Sequence, residues 1–273
     1  MSKKKRPRPE PESLGLPCVG VETHAHLDME DFDPDREALL DKARAAGVAL
    51  FGNVFLGPGA YARNKHLFDG RDDVFFLMGV HPNDAAGHSD EDVAAMYAAF
   101  RADERLRALG EIGLDYYWDH ATPMQQQRCL ADQLALAKEL DLPVVIHSRD
   151  AEDDTVKALV AAGFAGRAVL WHCFGQGPDF ARHILDQGWH ISIPGPVTYR
   201  KNDPLRAAAA VIPLERMVLE TDCPYLTPEP WRGKRNHPAL MAFTARAVAE
   251  AQGTDTETVW RETAETARRF FGV

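Results

Sequence analysis

Between residues 18 and 221 the chain alternates, eight times over, between a short apolar or β-branched run and a stretch of helical periodicity. The runs fall at about 18–23, 48–55, 74–80, 106–112, 143–148, 168–173, 190–193 and 217–221. Runs that are apolar along most of their length belong to a sheet covered on both faces, and a repeated strand–helix order makes that sheet parallel. Eight such units predict closure into a (β/α)8 TIM barrel. Amphipathic, Ala-rich segments at Asp35 to Ala46, Asp90 to Arg101 and Met124 to Leu140 supply the clearest outer helices. The second helix, near 60–68, and the seventh strand, His190 to Ile193, have the weakest patterns. Residues 255–271 read as an extra helix packed on the outside. No composition break marks a second domain, so 18–273 is expected to form a single barrel, a fold that typically takes about 250 residues.

Five of the runs end in side chains that bind metal: Val21-Glu-Thr-His24-Ala-His26, Leu-Gly-Glu111, Val-Val-Ile-His147, Val-Leu-Trp-His172 and Val-Leu-Glu-Thr-Asp222. His24 and His26 lie two apart, so on a strand they share a face. In a (β/α)8 barrel the active site sits at the C-terminal ends of the strands, which is where all six residues fall. Packing alone does not ask for this placement, and a buried Glu111 needs a charged partner. The set predicts a binuclear metal centre of the metallo-dependent hydrolase type. Glu111, with two oxygens, is the natural bridge; His24, His26 and Asp222 would hold one ion, and His147 and His172 the other. Imidazole and carboxylate ligands suit zinc, manganese, cobalt or iron. His66, His88, His120 and His183 lie in loop-like or helical stretches and read as ordinary surface or packing residues.

The remaining features narrow the class. A net charge of −10 argues against holding duplex nucleic acid by bulk electrostatics. No apolar run is long enough to span a bilayer. The start, Met1-Ser-Lys-Lys-Lys-Arg-Pro-Arg-Pro9, has no apolar stretch after its charges and is not a secretory signal. Its Pro and charge density predicts a disordered basic arm over residues 1–17. Cys18, Cys129, Cys173 and Cys223 show no paired spacing, which fits reduced thiols in a cytoplasmic protein. Cys173 and Cys223 directly follow candidate ligands, so strand alternation points them outward. The sequence leaves the oligomeric state open, a monomer included.

Six segments together resemble the TatD family of metal-dependent deoxyribonucleases, a branch of the amidohydrolase-like barrels. They are Glu22-Thr-His-Ala-His-Leu-Asp28, Gly79-Val-His-Pro82, Gly110-Glu-Ile-Gly-Leu-Asp-Tyr116, Leu142-Pro-Val-Val-Ile-His-Ser-Arg-Asp-Ala151, His172-Cys-Phe174 and Leu219-Glu-Thr-Asp-Cys-Pro-Tyr-Leu226. The resemblance runs from about residue 19 to the C-terminus. It implies a two-metal hydrolase, commonly a 3′→5′ exonuclease on single-stranded DNA and sometimes RNA, often used with magnesium. The family's ligands fall on His24, His26, Glu111, His147, His172 and Asp222, all present. Gly175-Gln-Gly177 stands where the family often has Ser-Gly-Ser, and the basic arm has no counterpart.

Phosphodiester chemistry assigns further roles. Asp222 is the candidate general base for the attacking water, and Glu111 the second catalytic carboxylate. Arg149, two residues after His147, can fork onto a phosphate, and His81 can donate to one. After the last strand, Arg232, Lys234 and Arg235 are candidate phosphate ligands, and Trp231 a candidate base-stacking residue; Arg200 and Lys201 are weaker ones. Asn236, before His237-Pro238, reads as structural, a helix N-cap with Pro in the first turn. The competing reading keeps the centre and changes the bond to an ester, lactone, amide or aminoacyl ester. A non-catalytic scaffold would show a lost ligand, and none is lost.

Overall fold

The computed structural model describes residues 8–273. Eight strands run Gly20–Ala25 (β1), Val48–Leu56 (β2), Val74–Gly79 (β3), Leu106–Asp115 (β4), Val144–Arg149 (β5), Val169–Trp171 (β6), His190–Ile193 (β7) and Met217–Leu219 (β8). They pair in parallel and in sequence order. Among the described residues nine α-helices accompany them: Arg36–Ala45 (α1), Pro58–Asn64 (α2), Asp90–Ala102 (α3), Pro123–Glu139 (α4), Glu152–Ala161 (α5), Pro178–Asp186 (α6), Asp203–Ala209 (α7), Met241–Gln252 (α8) and Thr256–Phe271 (α9). The barrel closes beyond β8 rather than along it. Asp222 N–H donates to the His24 carbonyl at 2.9 Å, and His26 N–H to the Cys223 carbonyl at 2.9 Å. That seam brings the β8 loop against the end of β1, where two of the candidate ligands lie.

At α3, α4 and α9 local side-chain chemistry marks the helix start. Ser89 with Asp92, and Thr122 with Gln125, form capping boxes at α3 and α4, and Pro123 opens α4. Asp255 caps α9, and Gly272 ends it in the left-handed conformation. The main core lies between the strands and the outer helices. A second cluster fills the barrel interior with Val21, Phe75, Leu77, Ala108, Val145, Leu170 and Val218.

Helix α9 departs from the outside position expected of residues 255–271. Its Ala264, Ala267, Phe270 and Phe271 join the interior cluster, with Phe271 5.0 Å from the Phe75 ring. Phe75, Val21 and Val145 are each the second residue of their strands, so α9 covers the N-terminal end of the barrel, opposite the candidate site. Gly20 makes this possible: a side chain there would stand 2.1 Å from Trp260 of α9.

The N-terminal arm also differs from expectation over residues 8–17. Pro11–Leu14 form a 3-10 turn with Pro11 buried. Trp231 Nε1 donates to the Pro9 carbonyl and Trp260 Nε1 to that of Pro17, both at 2.9 Å, and Lys42 pairs with Glu10 at 2.8 Å. Side-chain partners on the barrel therefore order this stretch despite its composition. The rest of the expected arm, residues 1–7, lies outside the described residues.

Candidate metal centre

At the C-terminal end of the barrel the Glu111 carboxylate stands among five imidazoles. Its Oε2 is 3.4 Å from His24 Nε2 and 4.0 Å from His26 Nε2. Its Oε1 is 2.7 Å from His147 Nδ1, 3.4 Å from His172 Nε2 and 3.7 Å from His81 Nε2. Asp222 Oδ1 lies 3.3 Å from His26 Nε2. Among the described residues, candidate ligand atoms converge in four overlapping groups: His24, His26 and Glu111; His24, His172 and Asp222; His81, Glu111 and His147; and His172, Cys173 and Glu220. All six sequence-assigned ligands thus meet in one pocket, with His81 beside them.

Most of the rings are aimed by a bond on the nitrogen facing away from Glu111. His26 Nδ1 is 3.4 Å from the Val54 carbonyl, His147 Nε2 is 2.9 Å from Asp115 Oδ2, and His172 Nδ1 is 2.8 Å from Glu220 Oε2. A proton held on the outer nitrogen leaves the inner lone pair free for a metal. His81 Nδ1 accepts the Asn83 N–H at 3.1 Å, which puts its ring proton on Nε2, facing the pocket. His24 is fully buried, and neither of its ring nitrogens has a hydrogen-bond partner among the described residues. Its ring stacks on His172 at 3.5 Å. A buried imidazole whose nearest polar neighbour is a carboxylate at 3.4 Å, without an aligned hydrogen bond, is poorly satisfied, and a metal ion is a partner such a ring fits.

The electrostatics agree with that fit. Burial pushes the Glu111 carboxyl up, but His172, His81, His147 and His24 together outweigh it and hold it well below the usual carboxylate range. Burial also raises Asp222, and His26, His172 and His24 reverse that, leaving it ionised. Burial and the nearby His172 charge depress His24, keeping it a neutral donor. Against the effect of burial, Asp115 and Glu111 lift His147 to about 9, and Glu220 and Glu111 lift His172 to about 10. The pocket therefore demands positive charge, which either protons or divalent cations can supply.

Asp115, Glu220 and Cys173 were not singled out as site residues by sequence. The signal was parity: Asp115 lies four residues after Glu111, and Glu220 two before Asp222, so each shares a face with a ligand if the strand continues. Cys173 corrects the alternation argument. Strand β6 ends at Trp171, and Cys173 takes a left-handed φ of 49°, which turns its thiol toward His172 and Glu220. Cys223 is fully buried, and the four cysteines are free.

The expected substrate residues divide. Arg149 is exposed at the end of β5, its guanidinium 3.8 Å from the Tyr117 ring. Arg232 and Lys234 are exposed, with Arg232 4.2 Å from the Tyr199 ring. Arg235 already has protein partners: Asp35 at 2.6 Å, the Asp31 carbonyl and the Phe32 ring. It braces the β8 loop against the segment before α1 rather than reaching for phosphate. Trp231, the expected base-stacking residue, is half-buried and tied to the N-terminal segment: its N–H donates to the Pro9 carbonyl, and Arg8 and Lys42 lie 5.5 and 5.7 Å from its ring. Asn236 is structural, though not as a helix cap. Its Nδ2 donates to the Thr221 and Tyr225 carbonyls at 2.9 and 2.6 Å and so frames the turn that carries Asp222.

Comparison with known proteins agrees with this geometry. The family model described as TatD related DNase matches residues 21–272. The Bacillus subtilis protein YabD, named an uncharacterized metal-dependent hydrolase, is 35% identical over 252 residues, covering 92% of this chain and 98% of that protein. The 3′-5′ ssDNA/RNA exonuclease TatD of Cronobacter sakazakii is 33% identical over 253 residues, covering 90% and 95%. The crystal structure of YjjV, a TatD homologue from Escherichia coli, superposes with a TM-score of 0.87 at 29% identity, covering 94% of this chain and 99% of that one. Since the matched region runs from the first strand to the last helix, the chain belongs to the TatD-related DNase family and is a metal-dependent hydrolase.

Proposed function

We propose that this protein is a two-metal phosphodiesterase that trims single-stranded DNA or RNA from the 3′ end. The observation that carries the reading is the division of imidazoles between the two Glu111 oxygens, His24 and His26 on one and His147 and His172 on the other. His24, His26 and Asp222 would hold one divalent ion and His147 and His172 the second, with Glu111 shared; magnesium, manganese, zinc or cobalt would serve. Ions bound there would lower the pKa of water and stabilise charge on the phosphoryl oxygens.

The chain's own residues do the rest. Asp222, held ionised, accepts the proton of the attacking water. His81, with its proton on Nε2, donates to a phosphoryl oxygen. Arg149 at the end of β5, and Arg232 and Lys234 beyond β8, hold flanking phosphates. The name of the Cronobacter relative, a 3′-5′ ssDNA/RNA exonuclease, supports this substrate and polarity.

The test uses metal-stripped protein reloaded with manganese or magnesium, on end-labelled single-stranded DNA and RNA. Stepwise loss from the 3′ end that vanishes in Asp222→Asn is the expected result. No cleavage by folded, metal-loaded protein would refute it and move the chemistry to ester, lactone or amide substrates.

A further inference from the structure

Two large aromatic side chains beside the centre are explained neither by metal binding nor by packing. Tyr117 and Trp118, two and three residues past the end of β4, keep 53% and 46% of their surface exposed. Exposed aromatic surface of this kind marks recognition sites in soluble proteins.

This pair is held in place rather than loose. Asp115 Oδ1 accepts the backbone N–H groups of Tyr117 at 3.0 Å and Trp118 at 3.1 Å. The other oxygen of the same carboxylate lies 2.9 Å from His147 Nε2. One side chain therefore fixes both a candidate metal ligand and the loop that carries the aromatics. The two rings meet edge-on at 4.9 Å and 88°, and one face of Trp118 stacks on His120 at 5.8 Å and 27°, which leaves the other for a base. Arg149 lies 3.8 Å from the Tyr117 ring and 5.8 Å from that of Trp118.

We propose that Tyr117, Trp118 and Arg149 form a platform that stacks an unpaired nucleobase and holds the adjoining phosphate, giving the centre its preference for single strands. The inference rests on the nuclease reading above and adds the residues that read the substrate. A base inside a duplex is stacked on both faces, whereas an unpaired base offers its face to an aromatic ring. A guanidinium lying over a ring keeps its in-plane N–H groups free for phosphate oxygens. The charge fits as well, since Arg149 supplies local positive charge on a protein whose net charge is −10. The platform thus lets a chain unsuited to bulk electrostatic binding recognise nucleic acid through faces and a few phosphates.

The test measures Kd by fluorescence anisotropy with the full, metal-loaded chain. The probes are a cleavage-resistant phosphorothioate oligothymidylate and an abasic oligomer of the same length and charge. Wild type is expected to bind the base-bearing strand about ten- to a hundred-fold more tightly, the range of one base–aromatic stack. Trp118→Ala should lose most of that preference without changing affinity for the abasic strand, and Trp118→Phe should keep it. Trp118 is exposed, so these variants should fold, which their melts check. Equal binding of both strands by wild type, or an undiminished preference in Trp118→Ala, overturns the platform; if the enzyme still trims DNA, the nuclease reading survives. Absence of binding to either strand, in protein that still hydrolyses bis-nitrophenyl phosphate, overturns both.

Discussion

Replacing Glu220 with Gln keeps the shape of a fully buried side chain and removes its charge. The carboxylate lies 2.8 Å from His172 Nδ1 and accepts the Cys173 N–H at 2.9 Å, one oxygen to each. Gln has one oxygen and one NH2, so it cannot accept at both positions. If the NH2 faces Cys173, two donors oppose each other and a buried hydrogen bond is lost, at about 1–3 kcal/mol. If it faces His172, the ring must present a lone pair at Nδ1 and carry its proton on Nε2, the nitrogen facing Glu111. That tautomer closes the metal position. Loss of such an outer partner typically weakens metal binding by about ten- to a hundred-fold, or about 1.4–2.8 kcal/mol. The assay is competition against a chelator of known affinity, read as metal retained per folded chain, with a thermal melt alongside. Glu220→Gln that keeps wild-type metal affinity and a wild-type melt would refute the idea that this carboxylate sets the His172 tautomer.

Asp222→Asn should lower hydrolysis by about 10²–10⁴-fold, the range for loss of a general base, while circular dichroism and the melt stay near wild type; an active variant would remove Asp222 as the base. Arg235→Ala should lower the melting temperature slightly, by the ~0.2–1 kcal/mol of an ion pair with a partly exposed partner, and leave oligonucleotide affinity alone. Arg232→Ala should weaken that affinity and reduce its salt slope by about one, and the reverse pattern would exchange the two roles. Burial, then the charges of Lys42 and Arg235, push His237 down to about 4 from an ordinary value near 6.5. The unfolded chain therefore binds more protons between those values, and His237 contributes stability above pH ~6.5 that is lost as the pH falls toward ~4, at most about 3 kcal/mol. Urea melts at pH 7.5 and 5 should show it, and His237→Gln should lessen the drop; an unchanged drop assigns the acid sensitivity elsewhere. After chelation, magnesium alone should restore turnover, with manganese or zinc binding more tightly. Failure of magnesium at high concentration would make the centre a transition-metal site.

The strand–helix alternation was legible because eight buried runs and their caps act locally, and the barrel order follows from that repeat. The ligand set was legible because each member ends a strand. What the sequence hid depends on contacts distant along the chain. The ordering of Pro9 and Glu10 needs Trp231 and Lys42, more than thirty residues away at the nearest. The inward seat of α9 depends on Gly20 making room for Trp260, which periodicity within α9 does not reveal. Arg235 looked available because nothing in Gly233-Lys-Arg235 announces Asp31 and Asp35, about two hundred residues earlier. Cys173 was misplaced because alternation was extended past a strand that ends at Trp171.

A common device explains why short strands suffice to hold the centre. Three side chains each tie a site element to a backbone segment. Asp115 joins His147 to the Tyr117–Trp118 loop, Glu220 joins His172 to the Cys173 backbone, and Asn236 joins the Thr221 and Tyr225 carbonyls around Asp222. Strand β6 has three residues and β8 has three, so His172 and Asp222 lie just past the regular strands, where the backbone holds His172 N–H to the Ile146 carbonyl at 3.0 Å and Asp222 N–H to that of His24 at 2.9 Å. The ties add side-chain constraint to those backbone bonds, and those made by Asp115 and Glu220 use one oxygen for the imidazole and the other for the main chain. A carboxylate in this role sets the ring's tautomer and its position together, which a neutral amide cannot do for both partners. Loss of Asn236 should accordingly disturb where Asp222 sits, whereas loss of Asp115 or Glu220 should also change which ring nitrogen is free to bind a metal.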